Sequence, residues 1–192
     1  MMTYLVATTG KPEIFTITNS RPEGVEAPKT EGWMQYIPGV GFEVTMRCYE
    51  RDPAASYTQP DDRVCRDSCM ECFLKCFADS PDYINVEVNV LGVMKCGFGP
   101  GRARKTVREM GFSQPKVTVT KEENYWQVSY VISEQLLEGL YQRPCRFEAG
   151  DEMQGNFYKC REEVLPPHWA SWSKVERLDF HTPEFFGQLK IV

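Results

Sequence analysis

Residues 41–49 alternate between apolar and polar side chains. Phe42, Val44, Met46 and Cys48 fall on one side, and Glu43, Thr45, Arg47 and Tyr49 on the other. Successive side chains of an extended chain point to opposite faces, so this stretch predicts a strand with one buried face. Residues 83–90 alternate more strictly, with Ile84, Val86, Val88 and Val90 inward and Asn85, Glu87 and Asn89 outward. Residues 93–98 follow as the hairpin partner across Leu91-Gly92. Residues 116–120 and 126–132 read as another pair turning near Glu122-Glu123-Asn124. Ser133 is placed to cap one short helix over residues 134–140, ended near Arg143-Pro144. Further strands fill the tail, which closes on the strand-like Gly187-Gln188-Leu189-Lys190-Ile191-Val192. Many short strands and at most one short helix predict an all-β fold. Its natural form is a two-sheet antiparallel β-sandwich of the immunoglobulin-like or jelly-roll-like kind.

Other stretches carry weaker patterns. Residues 1–38 are rich in Thr, Pro and Gly and predict a lead-in segment with a strand or two, packed onto the body by Trp33 and Tyr36. Residues 51–62 form a loop punctuated by Pro and Asp, and residues 99–110 one rich in Gly and Arg. Residues 65–77 are ambiguous. Cys65, Cys69, Cys72 and Cys76 would stripe one side of a helix, but Phe73, Leu74 and Phe77 would make its other side apolar as well. A strand covered on both faces fits that composition too.

At 192 residues, 42% hydrophobic and 26% charged, the chain has the makings of one globular domain, residues 1–192. A formal net charge of -5 argues against a general nucleic-acid binder. No apolar run approaches the ~20 residues of a membrane helix. The opening ten residues lack the basic segment and apolar run of a signal peptide. A cytoplasmic location is therefore expected, or a secreted one if a leader has been removed.

The cysteine spacing invites a zinc reading, since thiolates bind zinc at about 2.3 Å and must converge. On a strand, Cys69 and Cys72 point to opposite faces, and Cys72 and Cys76 lie roughly 13 Å apart along it. Neither pair can share an ion, so the cysteines are expected to be buried, reduced core residues with no metal among them. The run Gly97-Phe98-Gly99-Pro100-Gly101, backed by Arg102, Arg104, Lys105 and Arg108, lacks a Walker pattern, and Pro100 removes a donor. It reads as a hairpin loop. With only two histidines, His168 and His181, and no Gly-x-Ser-x-Gly elbow, a hydrolytic triad is not indicated. Glu71 and Glu87 share a sheet surface in this scheme and would suit a paired-carboxylate glycosidase. That chemistry needs one carboxyl kept protonated, which nothing in the sequence provides. Asn85, Glu87 and Asn89, extended by Glu71 and Arg47, also offer paired hydrogen bonds to adjacent hydroxyls.

Two groups of motifs carry a resemblance. The tail reads Asn156-Phe157-Tyr158-Lys159-Cys160, His168-Trp169-Ala170-Ser171-Trp172-Ser173, then Phe180-His181-Thr182-Pro183-Glu184-Phe185-Phe186-Gly187-Gln188-Leu189. The middle reads Asp67-Ser68-Cys69-Met70-Glu71-Cys72-Phe73-Leu74 followed by Asn85-Val86-Glu87-Val88-Asn89. Together they resemble carbohydrate-binding family 9-like domains over residues 40–192. The resemblance implies that residues 65–77 form a strand, and that the whole is a non-catalytic sugar-binding β-sandwich. It also implies a carbohydrate ligand, and a separate catalytic partner that the module would target. Such modules grip a terminal sugar between two Trp rings, above a Glu, an Arg and Asn residues. The Glu falls on Glu71. The polar pair of the next strand falls on Glu87 and Asn89, with Glu87 where Arg is usual. One ring falls on Phe180 and the other on Cys65, which has none, while the Asn before the ring falls on Arg177. Trp169, Trp172 or Tyr158 would have to replace the missing ring, and Trp172 is expected inside. The implied ligand-binding set is thus Glu71, Glu87, Asn89, Arg177 and Phe180. A structural calcium occurs in such modules, and Asp61, Asp62 and Asp67 offer hard oxygen donors without a calcium-loop pattern. The alternatives are a protein-interaction domain that kept the fold and lost the sugar, or a sugar-active hydrolase using Glu71 and Glu87.

Overall fold

The computed structural model describes residues 2–192. Strands β1 (Thr3–Val6), β2 (Phe15–Ile17), β3 (Asn19–Ser20), β4 (Thr30–Ile37), β5 (Gly41–Cys48), β6 (Cys69–Lys75) and β7 (Tyr83–Asn89) come first. They are followed by β8 (Met94–Gly99), β9 (Lys105–Thr106), β10 (Thr118–Lys121), β11 (Trp126–Ser133) and helix α1 (Glu134–Tyr141). Strands β12 (Glu152–Arg161), β13 (His168–Ser171) and β14 (Gly187–Ile191) complete the chain.

Two sheets pack face to face as a β-sandwich. The larger runs β1-β14-β12-β6-β7-β8-β9, with β13 on the flank of β12 and β3 on β13. The smaller runs β10-β11-β5-β4-β2. Pairing is antiparallel except for β1, which lies parallel to β14. The predicted helix forms as read: the Ser133 side chain accepts from Leu136 N, and the helix ends at Gln142 in the left-handed region (φ 54). Residues 3–37 contribute more than a lead-in. β1 lies in the larger sheet, and β4 is a full-length strand between β5 and β2. Tyr36 is buried, but Trp33 faces outward over Arg47.

Alternation builds the core. Met34, Phe42, Val44, Met46, Val128 and Ile132 from the smaller sheet meet Met70, Cys72, Leu74, Val86, Val88 and Phe157 from the larger. Phe15 stacks on Phe157 across the gap at 3.8 Å. Each such side chain contributes about 1.5–3 kcal/mol on leaving water.

The two sheets differ on their other faces. β4 and β11 alternate buried with half-buried residues, as expected of a sheet with one wet side. β7 is buried at every position, and β6 at all but its last. The segment 172–186 lies across the larger sheet and roofs it. Asn156 fastens it by donating from Nδ2 to Ser173 O (2.9 Å) and accepting from Ser173 N (2.9 Å). Arg21 holds Val175 O (2.8 Å), and Gly187 packs so closely on the Trp172 ring that a Cβ would meet it at 2.4 Å. Asn85 and Glu87, read as facing outward, are therefore covered, and Asn89 is covered by the loop that carries Tyr57 and Asp67.

Candidate functional site

The roof leaves an opening over the centre of the larger sheet. Antiparallel register sets Tyr158 opposite Glu71, Glu71 opposite Glu87, and Glu87 opposite Lys95, in one row across β12, β6, β7 and β8. Directly opposed side chains sit about 4.5–5.5 Å apart at Cβ. Above this row lies a cleft of about 310 Å³, floored by Glu71, Glu87 and Lys95 and walled by Phe180, His181 and Trp169. Cys65, Arg102, Glu162, Leu178 and Asp179 form the rest of its rim.

Each wall is held from behind. Phe180 stacks on Tyr158 (centroids 4.0 Å, 15° between planes), and the Tyr158 hydroxyl donates to Phe180 O (3.1 Å). His181 stacks on Phe73 (4.8 Å), with Nδ1 3.0 Å from the Tyr83 hydroxyl. Arg102 pairs with Asp179 (2.7 Å), which also accepts from His181 N (3.0 Å). Trp169 lies opposite Cys160 on β13, the flanking strand that turns its ring to the cleft. The basic loop after β8 folds back rather than standing in solvent. Arg104 donates to Asn85 Oδ1 (2.8 Å), and Asn85 Nδ2 in turn donates to Glu87 Oε1 (2.7 Å). This relay requires Gly97, where a Cβ would lie 2.7 Å from Asn85 Oδ1 and 3.0 Å from Arg104 Cδ.

Burial sets the protonation states. Glu71 is pushed well above the usual carboxylate range, first by loss of water and then by the adjacent Glu87. Glu87 is also raised by burial, against the pull of Lys95 and Arg104. The pair behaves as two close carboxyls in a dry setting, retaining a proton on Glu71. His181 is driven down to about 2 by burial and the nearby Arg104, Arg102 and Lys95, so it is neutral. The Glu71 Oε1 atom accepts from the Cys160 thiol (3.1 Å). The Oε2 atoms of Glu71 and Glu87 have no hydrogen-bond partner among the described residues and remain available to a ligand.

Three residues of the expected ligand set, Glu71, Glu87 and Phe180, come together here. The other two do not. Asn89 spends its amide on Tyr57 O (2.9 Å) and Asp67 Oδ2 (2.8 Å), and its carbonyl on Leu91 N (3.1 Å) and Val93 N (2.9 Å). Its role is to close the β7–β8 turn. Arg177 is exposed, bonds Glu184 (2.5 Å) and leans over Phe185, away from the cleft. Arg47 belongs to the other sheet, where it bonds Gln127 (2.9 Å) between the Trp33 and Tyr125 rings. Cys65 lies in a 3₁₀ turn before β6, not in a strand. The three aspartates do not converge. Asp67 accepts from Ser56 N, Tyr57 N and Asn89. Asp62 accepts from Gln59 N, and Asp61 takes Gln114 Nε2 (2.6 Å). The requirement for one protonated carboxyl, absent from the sequence, is supplied by burial of Glu71. Lys95, His181 and Arg104 are the site residues that sequence reasoning did not assign. Trp169 was within reach as a replacement ring, and Trp172 does pack inside.

The model of carbohydrate-binding family 9 matches residues 33–191. No curated protein sequence shows significant similarity. Among solved structures, a Bacteroides uniformis protein described as a candidate carbohydrate-binding protein is 23% identical, with a TM-score of 0.79 over 100% of this chain and 98% of that one. A family 9 carbohydrate-binding module from Caldicellulosiruptor kristjanssonii in complex with cellotriose is 11% identical, with a TM-score of 0.67 over 99% of this chain and 93% of that one. A family 9 module from the same organism in complex with glucose gives 11% and 0.69 over 100% and 96%.

Proposed function

The chain belongs to carbohydrate-binding family 9, and from that membership we propose a module that holds the end of a glycan without cleaving it. The observation that carries this is the row Glu71, Glu87 and Lys95, with unengaged oxygens, set between the rings of Phe180 and Trp169. Carboxyl and ammonium groups suit the vicinal hydroxyls of a sugar, and flat rings suit its C–H faces. Glu71, Glu87, Lys95, Phe180 and Trp169 are the proposed contacts. Asn89 shapes the turn behind them. A cleft of about 310 Å³ is at the small end of ligand sites (~300–1,000 Å³), which favours a chain end over a chain middle. Glucose and cellotriose, bound by the Caldicellulosiruptor modules, are the natural first probes. A separate catalytic partner and a cytoplasmic location belong to the same proposal; eight free thiols support a reducing compartment.

A hydrolase reading has one observation in its favour, the protonated Glu71 beside Glu87. Against it, both carboxyls rise from neighbouring strands of one floor, whereas hydrolysis wants them to flank the scissile bond.

A glycan array of the reduced protein, followed by calorimetry with Phe180→Ala, tests the proposal. The expected result is binding that the variant weakens about tenfold, the loss of one ring's worth of stacking. Sugar release that Glu71→Gln abolishes while binding persists would establish the hydrolase. A folded protein that binds no glycan would leave the interaction domain.

A further inference from the structure

The densest soft-donor chemistry lies one row from the sugar-facing carboxyls. Cys69 and Cys160 stand directly opposite each other across β6 and β12. With Glu71 they place two sulfurs and a carboxylate oxygen within 4.8 Å of one another, all three side chains buried. Cys160 Sγ lies 3.1 Å from Glu71 Oε1 and 3.4 Å from the carbonyl of Cys65. Glu71 lines the cleft, with Cys69 and Cys160 fully buried behind it. The donors come from two strands fixed by their register, and a sheet holds such positions more firmly than a loop does.

Zinc takes thiolates at about 2.3 Å and carboxylate oxygens at about 2.0–2.2 Å, which spaces tetrahedral donors roughly 3.5–3.8 Å apart. The observed cluster, with every pair of donors within 4.8 Å, lies close to that spacing. Two thiolates with one carboxylate select a borderline-soft ion and disfavour calcium and magnesium, which want oxygen alone. Three protein donors leave a fourth position for a small ligand, and of the three it is Glu71 that borders the cleft.

We propose that Cys69, Cys160 and Glu71 form a zinc-class metal site beneath the cleft, bordering it through Glu71. Binding displaces the two thiol protons and the proton held on Glu71, three in all, and replaces the Cys160–Glu71 hydrogen bond by metal–ligand bonds. The site shares Glu71 with the proposed sugar contacts, yet its test needs no sugar, so either proposal can fail alone.

The experiment is titration of the reduced protein, with all eight thiols confirmed free, by Cd²⁺ under ultraviolet detection, then by Zn²⁺ with thermal melting. One equivalent of Cd²⁺ should raise a thiolate-to-metal charge-transfer band, and Zn²⁺ should raise the melting temperature. Cys160→Ala should abolish the band, and Glu71→Gln, which keeps the side-chain shape, should weaken affinity by more than the ~10–100-fold that loss of an outer partner costs. Cys145→Ala, elsewhere in the core, should change neither readout. A band that survives in Cys160→Ala, or one lost equally in Cys145→Ala, overturns the proposal, as does wild-type protein that takes up no metal.

Discussion

The outer faces of the two sheets are built from the same alternation and end in opposite environments. On the smaller sheet, Trp33, Arg47, Gln127 and Glu31 stay half-exposed, and Glu31 is made more acidic by a hydrogen bond from Tyr49 and by Lys29. On the larger sheet, Glu71 and Glu87 lie beneath the roof and are made less acidic by burial. A polar residue on the first face interacts with water. On the second it interacts with its neighbours and with whatever enters the cleft. The difference is made by segments remote in sequence, 172–186 together with the loops that carry Tyr57, Asp67 and Arg104, and not by anything within the strands.

Removing the roof's fastening should erase that difference. Asn156→Ala strands the buried amide and carbonyl of Ser173 and should cost about 2–3 kcal/mol, read from urea denaturation. The next test separates the faces by pH. The folded pKa of Glu71 is above the ordinary 4.5, so its contribution to stability is complete below that pH and lost as pH rises through the folded value. Glu71→Gln should flatten a decline that approaches about 1.4 kcal/mol per pH unit, measured by denaturation at several pH values. Glu31 carries the opposite sign: its contribution is present above 4.5 and lost as pH falls. Gly97→Ala should displace Arg104 from Asn85 and weaken sugar binding about tenfold in calorimetry, with the fold retained. The smallest effect belongs to the wet face, where Arg47→Ala should change stability by no more than about 0.5 kcal/mol and leave sugar binding untouched. An Arg47 variant that lost binding would move the site to the other sheet.

The strands were legible because alternation survives in them. Residues 41–49, 83–90 and 126–132 each match an observed strand to within a residue, and Ser133 announced the helix. What covers a face was not legible. Asn85, Glu87 and Asn89 look alike in sequence, yet one relays Arg104, one floors the cleft and one ties a turn. Their fates depend on the row each occupies and on loops that arrive later. The cysteines show the same limit. Spacing compares Cys69 only with neighbours along its own strand, while its partner Cys160 comes from across the sheet. Lys159 sits among the tail's apolar words but is fully buried, paired at 3.2 Å with a Glu50 that also receives Arg161 (3.0 Å). A buried charge of that kind becomes predictable only once its counterion is placed.

The parallel pairing of β1 with β14 has a consequence for how the molecule assembles. β14 lies between β1 and β12, so Thr3–Val6 cannot join the larger sheet until Gly187–Ile191 has been inserted beside it. Contacts of such long sequence separation form slowly, because nearly the whole chain must close into a loop before they gain anything. During synthesis, a nascent chain can build the smaller sheet first, while the larger one waits with an unfilled slot. Folding should thus proceed in two stages, and the seam that finishes the sheet is also the one that draws the roof into place.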